Sequence, residues 1–150
     1  MPTCLKDFAT GMVAVVEPDT QALVAAQLMR KHHVGALVVV DAAEQTRPVG
    51  IVTDRDLVLG LMAEGLDPAL FTVGDIMSTD LVLARPEMDA LDAVALMRER
   101  RLHRIIVVDD VGRLVGIATV DDVLAVLAQG LLDLSRGAIG ARDREFEQRA

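Results

Sequence analysis

Val34-Gly35-Ala36-Leu37-Val38-Val39-Val40-Asp41 is answered later in the chain by Leu102-His103-Arg104-Ile105-Ile106-Val107-Val108-Asp109, displaced by 68 residues. A continuous apolar run rich in β-branched residues reads as a strand buried on both faces. Working outward, Ala22, Ala25, Leu28, Met29 and Arg30 fall on Ala90, Ala93, Leu96, Met97 and Arg98 at the same displacement. After a two-residue shortening, Val49-Gly50-Ile51 meets Val115-Gly116-Ile117 at a displacement of 66, and Thr53 and Asp56 land on Thr119 and Asp122. Matches kept in one order over so long a stretch mark an internal duplication, and a duplication decides the architecture before any single element does.

Each copy has the same local grammar. Ala22, Ala25, Ala26 and Met29 make one apolar helical stripe, repeated by Ala90, Ala93, Val94 and Met97. Pro18-Asp19-Thr20 supplies a helix start, since Asp or Thr accepts a bond from the first free N–H groups. The polar loop from Ala42 to Arg47 leads to a second strand, Val49 to Thr53, and Asp110-Val111-Gly112-Arg113 is its shorter counterpart, a tight hairpin turn. Further helices begin near Asp54 and Val120. First strands are expected at Met12 to Val16 and Leu81 to Ala84. The order is strand, helix, strand, strand, helix, twice, in a mixed α/β (α+β) fold. The repeats are placed at 1–68 and 69–128, joined by a linker at 64–72 broken by Gly65 and Pro68. Residues 129–150, ending Arg142-Asp143-Arg144-Glu145, read as a charged C-terminal helix or tail.

Composition narrows the function. Fifteen basic against 23 acidic residues give a net charge of −8, which argues against affinity for nucleic-acid phosphates. With no Trp, no Tyr and three Phe, there is no aromatic platform for stacked bases. Cys4 is the single cysteine, so no internal disulfide is expected. Met12 to Val16 is too short for a signal-peptide core, and no segment approaches the roughly 20 apolar residues of a membrane span. The expectation is a soluble, cytoplasmic protein that binds neither membrane nor nucleic acid. His32-His33 is not expected to hold a metal, because neighbouring helical residues point apart and no third ligand accompanies them. His103 with Asp121 or Asp122 has no Ser, Cys or Lys nucleophile in a motif, so catalysis is not expected.

The chemistry gathers where each second strand opens a helix. Gly-Ile-Val-Thr-Asp-Arg-Asp (50–56) and Gly-Ile-Ala-Thr-Val-Asp-Asp (116–122) place a Thr at the turn and an Asp three residues on. One reading is a ligand site, with the helix N-terminus and Thr hydroxyl meeting a phosphate and the Asp meeting ribose hydroxyls. The other is a helix cap, because Thr-x-x-Asp is also a capping pattern. Gly50 and Gly116 let the backbone pass close to a ligand or a neighbouring segment.

From Lys6 to about Leu127 the sequence resembles the CBS-domain family, whose tandem repeats pack about a pseudo-two-fold axis as a Bateman module. The resemblance rests on Glu17-Pro18-Asp19, Ala22 to Met29, 34–41 and 50–56, with their partners Pro86, Ala90 to Met97, 102–109 and 116–122. It implies an adenosyl ligand (AMP, ADP or ATP, with S-adenosylmethionine or NAD as others in the family) and no required cofactor. It also implies two clefts, each sharing residues of both repeats. Pocket one would join Thr119, Asp121 and Asp122 to Gly11, Met12, Val13, Val34, Gly35 and Ala36. Pocket two would join Thr53, Asp54, Arg55 and Asp56 to Thr79, Asp80, Leu81, Leu102, His103 and Arg104.

The pockets are unequal in charge. Pocket two has Arg55, His103 and Arg104, and a guanidinium offers a phosphate two parallel donors. Pocket one has Asp121, and Gly35-Ala36 where pocket two has His103-Arg104. Two function classes follow: a nucleotide-sensing regulatory module acting on an unidentified protein, or a scaffold that dimerises and docks a partner with its clefts empty. In either case a homodimer is expected, since Leu57, Leu59, Leu61, Met62, Val123, Leu124, Val126 and Leu127 exceed what one small core covers.

Overall fold

Both β-branched runs form strands, and the computed structural model describes residues 4–11 and 13–149. In the first repeat, β1 (Val15–Val16) runs parallel to β2 (Ala36–Val40), which pairs antiparallel with β3 (Pro48–Thr53). The second repeat builds the same three-stranded sheet from β4 (Leu83–Ala84), β5 (Arg104–Val108) and β6 (Leu114–Thr119). The registers correspond residue by residue: Val38 opposes Ile51 as Ile106 opposes Ile117, and Ala36 opposes Thr53 as Arg104 opposes Thr119. The mixed α+β fold of two equivalent repeats is therefore as the sequence implies.

Four of the five β2 residues are buried, as are four of the five in β5, because each strand has helices on one face and the other repeat on the other. Leu37, Val39 and Val52 pack with Ala25 and Met29 of α2 (Ala22–His32). Ile105, Val107 and Ala118 pack with Ala93 and Met97 of α5 (Ala90–Arg100). The alternate residues Val38, Val40, Ile106 and Val108 form a third cluster between the two sheets. That cluster is apolar, so the repeats meet through burial of surface that neither could leave in water.

The leading segments of the repeats are exchanged. Helix α1 (Leu5–Phe8) lies on the second repeat: Leu5 is buried in the Ala93–Ile105 core, and its N–H donates to the Met88 carbonyl at 2.9 Å. Helix α4 (Val73–Ile76) lies on the first: Val73 is buried with Val39 and Val52, and its N–H donates to the Thr20 carbonyl at 2.8 Å. Beyond each helix the backbone pairs with the third strand of the opposite repeat, Thr10 with Ile117 and Ser78 with Ile51. Gly50 and Gly116 make room for this. A Cβ on Gly50 would stand 2.6 Å from Met77 Sδ, and one on Gly116 would stand 3.0 Å from the Thr10 carbonyl oxygen.

The first strands are shorter than expected. The strands proper are Val15–Val16 and Leu83–Ala84, preceded by the Ala14 and Val82 carbonyls, which accept from Val38 and Ile106 N–H at 3.3 Å; Met12 lies outside the described residues. Helix α2 also starts later than Pro18-Asp19-Thr20 suggests. Gln21 precedes its first residue with no side-chain cap, while the Thr20 hydroxyl accepts from Glu17 N–H at 3.3 Å. The helix start is instead tied to the expected linker, with Ala22 N–H on the Phe71 carbonyl and Leu23 N–H on the Pro68 carbonyl. Helix α5 does have a side-chain cap, Asp89 accepting from Leu91 N–H at 2.8 Å.

Helix α3 (Asp54–Leu57) continues into a π-helical turn, Val58–Met62. Its counterpart α6 is a single helix of 30 residues, Val120–Arg149. Val123 and Val126 anchor α6 in the core, whereas residues 131–149 are all exposed. This corrects the expected dimer surface: Leu61, Val123 and Val126 are core residues, while Leu59, Met62 and Leu124 remain exposed. One helix, α6, is nevertheless long and apolar enough to cross a membrane by length and composition alone, with mean hydropathy 1.3 over its most apolar 18 residues. Asp133 and Arg136 interrupt its apolar run, so no unbroken apolar stretch of that length stands in the sequence.

Candidate functional site

The third strand of each repeat ends by turning into a helix, and the turn is closed by one pair of side chains. Thr53 N–H donates to Asp56 Oδ2 at 2.8 Å, and Asp56 N–H donates to Thr53 Oγ1 at 3.2 Å. Thr119 and Asp122 repeat the pair at 2.9 and 3.2 Å. Thr53 is extended (φ −116°, ψ 163°), as a residue preceding the first helical turn should be. Both Thr-x-x-Asp motifs are therefore reciprocal helix caps.

The caps change how an anion would be held. The N–H groups opening α3 are engaged within the chain: Asp54 on the Gly35 carbonyl at 2.9 Å, Arg55 on Asp54 Oδ1 at 2.8 Å and Asp56 on Thr53 Oγ1. The expectation that this helix start offers free N–H groups to a phosphate is corrected. At α6 the Val120 N–H is likewise held, by the His103 carbonyl at 2.9 Å.

Side chains supply the positive charge instead. A cleft of about 500 Å³ is lined by Ile51, Thr53, Asp54 and Arg55 of the first repeat and by Arg101, Leu102, His103 and Arg104 of the second. It gathers Thr53, Asp54, Arg55, Leu102, His103 and Arg104 of the pocket-two residues. Thr79, Asp80 and Leu81 do not line it; they follow Ser78, which is bridged to Ile51 of its wall, and Asp80 is paired at the surface with Arg100 at 4.0 Å. Asp56 faces a separate depression with Leu59, Gly60 and Ile76. Arg101, which the sequence reading did not select, ends α5 in the left-handed conformation (φ 53°). Its signal was its place two residues before His103.

The pocket-one residues occupy the equivalent places. Gly11 and Val13 follow Thr10, which is bridged to Ile117, while Thr119, Asp121 and Asp122 open α6. Ala36 is the β2 counterpart of Arg104, and Val34-Gly35 precede it as Leu102-His103 precede Arg104. The two places are not independent. A Cβ on Gly35 would lie 3.1 Å from Asp54 Oδ2 and 3.2 Å from Arg104 Nη2, so Arg104 crosses between the repeats to rest on bare glycine backbone. Around Thr119 the positions of Arg55, Arg101 and Arg104 are held by Asp121, His33 and Ala36. Three guanidinium groups on one side of the axis thus have no guanidinium counterpart on the other.

A duplicated α+β unit with exchanged leading segments, a cleft at the repeat junction and Thr-x-x-Asp at the mouth of each third strand is the arrangement of a CBS-domain pair. The CBS domain family matches residues 5–63 and 73–129, and the chain belongs to it. It is 41% identical over 118 residues to the CBS domain-containing protein YhcV of Bacillus subtilis, covering 79% of this chain and 81% of that one. An uncharacterised Methanopyrus kandleri protein is 36% identical over 121 residues, 81% of this chain but only 58% of that longer protein. Among solved structures, CBSX2 in complex with AMP superposes with a TM-score of 0.71 at 30% identity, covering 85% of this chain and 98% of CBSX2.

Proposed function

We propose that this chain is a regulatory module that binds an adenine nucleotide, AMP or ATP, in the cleft between Thr53 and Arg104, and that it performs no catalysis. The observation that carries the reading is the local reversal of charge. In a chain of net charge −8, one cleft holds Arg55, Arg101 and Arg104 with His103 and a single carboxylate, Asp54. Such a patch attracts a phosphorylated ligand, and the cleft volume suits a small molecule. The aliphatic Ile51 and Leu102 would face the base, while Asp54, the carboxylate that lines the cleft, would accept the ribose hydroxyls. The likeness to a protein crystallised with AMP supports the same ligand class.

Isothermal titration of the full chain tests this. AMP should bind, adenosine should bind more weakly, and Arg104→Ala should lose about ten-fold in affinity, the worth of one charge-assisted bond. Asp122→Ala should leave the tighter event in place. Equal AMP affinity for Arg104→Ala and the parent would refute the assignment. Absence of binding by AMP, ATP, NAD and S-adenosylmethionine alike would favour the scaffold reading.

A further inference from the structure

Helix α6 extends some 19 residues past the last core-buried turn, about 28 Å at 1.5 Å per residue. Helices of that kind are stabilised mainly by packing of an apolar face. This one also carries Gly130, Gly137 and Gly140, each about 1 kcal/mol worse than Ala in a helix interior. None of the described residues covers it: Leu131 is 69% exposed, Leu134 71% and Phe146 71%. Its apolar residues are nevertheless ordered. Leu124, Leu127, Leu131, Leu134, Ala138 and Ala141 alternate spacings of three and four, the seam of a helix that packs along another helix; Leu127 is half-buried against the second repeat's core, and the exposed Leu132, Ile139 and Phe146 lie beside the seam.

We propose that the projecting half of α6 pairs antiparallel with the α6 of a second copy of this chain. The proposal deepens the expected self-association by naming its helix and its direction, and it is independent of nucleotide binding. Size complementarity carries the direction. Antiparallel pairing sets Leu131 against Leu134 at the centre, Leu127 against Ala138 beside it and Leu124 against Ala141 beyond, so large residues meet small ones toward each end. The flanks are then Ala128 beside Ser135 and Gly130 beside Gly137, small enough for the backbones to approach. Charge agrees: Asp121, exposed at one end of the helix, lies beside Arg142, exposed at the other. A parallel pair would instead set Asp121 beside Asp121 and Arg142 beside Arg142. A membrane is the less suitable occupant. Interfacial helices keep a Lys/Arg-rich polar face, whereas residues 131–149 balance Asp133, Asp143, Glu145 and Glu147 against Arg136, Arg142, Arg144 and Arg149, in a chain of net charge −8.

Sedimentation equilibrium of the full chain reads the outcome. The parent should sediment at about twice its 16.1 kDa, and L131D/L134D should dissociate at least ten-fold more readily. Both residues lie in solvent, so that variant should keep its folded core by thermal unfolding while losing 222 nm helical signal on dilution. Asp121→Arg and Arg142→Asp should each weaken assembly, and the double swap should restore it. Parent-like assembly of L131D/L134D would overturn the proposal while leaving dimerisation through the body of the module standing; a monomeric parent would overturn both. A double swap no better than either single change would overturn the antiparallel direction. Co-flotation of the parent with phosphatidylcholine–phosphatidylglycerol vesicles would assign the face to lipid and overturn the pairing.

Discussion

Thr53 and Asp56 hold each other twice, backbone to side chain in both directions, and Thr119 and Asp122 do the same at the equivalent turn. Asp56→Ala should therefore cost about 1 kcal/mol in urea unfolding even without nucleotide, the usual worth of a cap. Asp56→Asn keeps an acceptor and should cost less. If the two variants match the parent in unlabelled, ligand-free unfolding, the cap contributes nothing and Asp56 is held for another purpose.

The carboxylate of Asp54 and the guanidinium of Arg104 both lie against Gly35, where a Cβ would stand 3.1 and 3.2 Å from them. Gly35→Ala places a methyl group closer to both than ordinary packing allows, so each side chain must shift by a few tenths of an ångström. Its backbone conformation is not one that requires glycine, and global stability should change by well under 1 kcal/mol, as for most partly exposed sites. AMP affinity should fall about ten-fold, the loss of one charge-assisted bond. Unchanged affinity measured by calorimetry would separate Arg104 from the phosphate.

Acid should loosen the loops that follow the central strands. The backbone N–H of Glu44, then that of Ala43, hold the Asp41 carboxyl below the usual carboxylate range, with Arg47 adding to them. The Arg113 N–H does so first for Asp109, joined by the Val111 N–H and the Arg113 charge. A depressed folded pKa contributes stability that is fully present above the unfolded value, near pH 4, and is lost as pH falls through the folded value. Asp109→Asn should flatten the acid limb of a stability-versus-pH curve below about pH 4 and leave its slope at pH 7 unchanged. An acid limb identical to the parent's would exclude the contribution.

His33 and Arg101 both end their helices in the left-handed conformation, at φ 54° and 53°. A non-glycine residue there is strained by about 1 kcal/mol, so His33→Gly should raise the unfolding free energy by several tenths to 1 kcal/mol. Arg101→Gly should gain similarly while weakening AMP binding, because Arg101 lines the cleft. A loss of stability for both variants would mean that their side chains do more for packing than their backbones cost.

The strand-helix-strand-strand-helix order was legible because local pattern suffices for it. A β-branched run as long as Val34 to Val40 has few other uses, and the stripe Ala22, Ala25, Met29 needs only a helix to become one face. The duplication made each reading its own check. The difference in charge between the two turns was legible too, since equivalence places Arg104 and Ala36 at matching points of β5 and β2. The exchanged leading segments were not read, although Cys4-Leu5-Lys6-Asp7 matches Thr72-Val73-Gly74-Asp75 at the displacement of 68 already in hand.

What the sequence by itself determined, then, is everything carried by neighbours along the chain: the repeat, the element types and the charged residues that flank each Thr-x-x-Asp turn. The tertiary structure alone decided which repeat Leu5 and Val73 complete, that Gly50 and Gly116 admit the opposite repeat's backbone, that Arg101 joins the cleft, and that Asp56 turns away from it. Those outcomes depend on contacts between residues far apart in the chain, and an apolar residue such as Leu5 is buried equally well by either repeat until the packing of both is known.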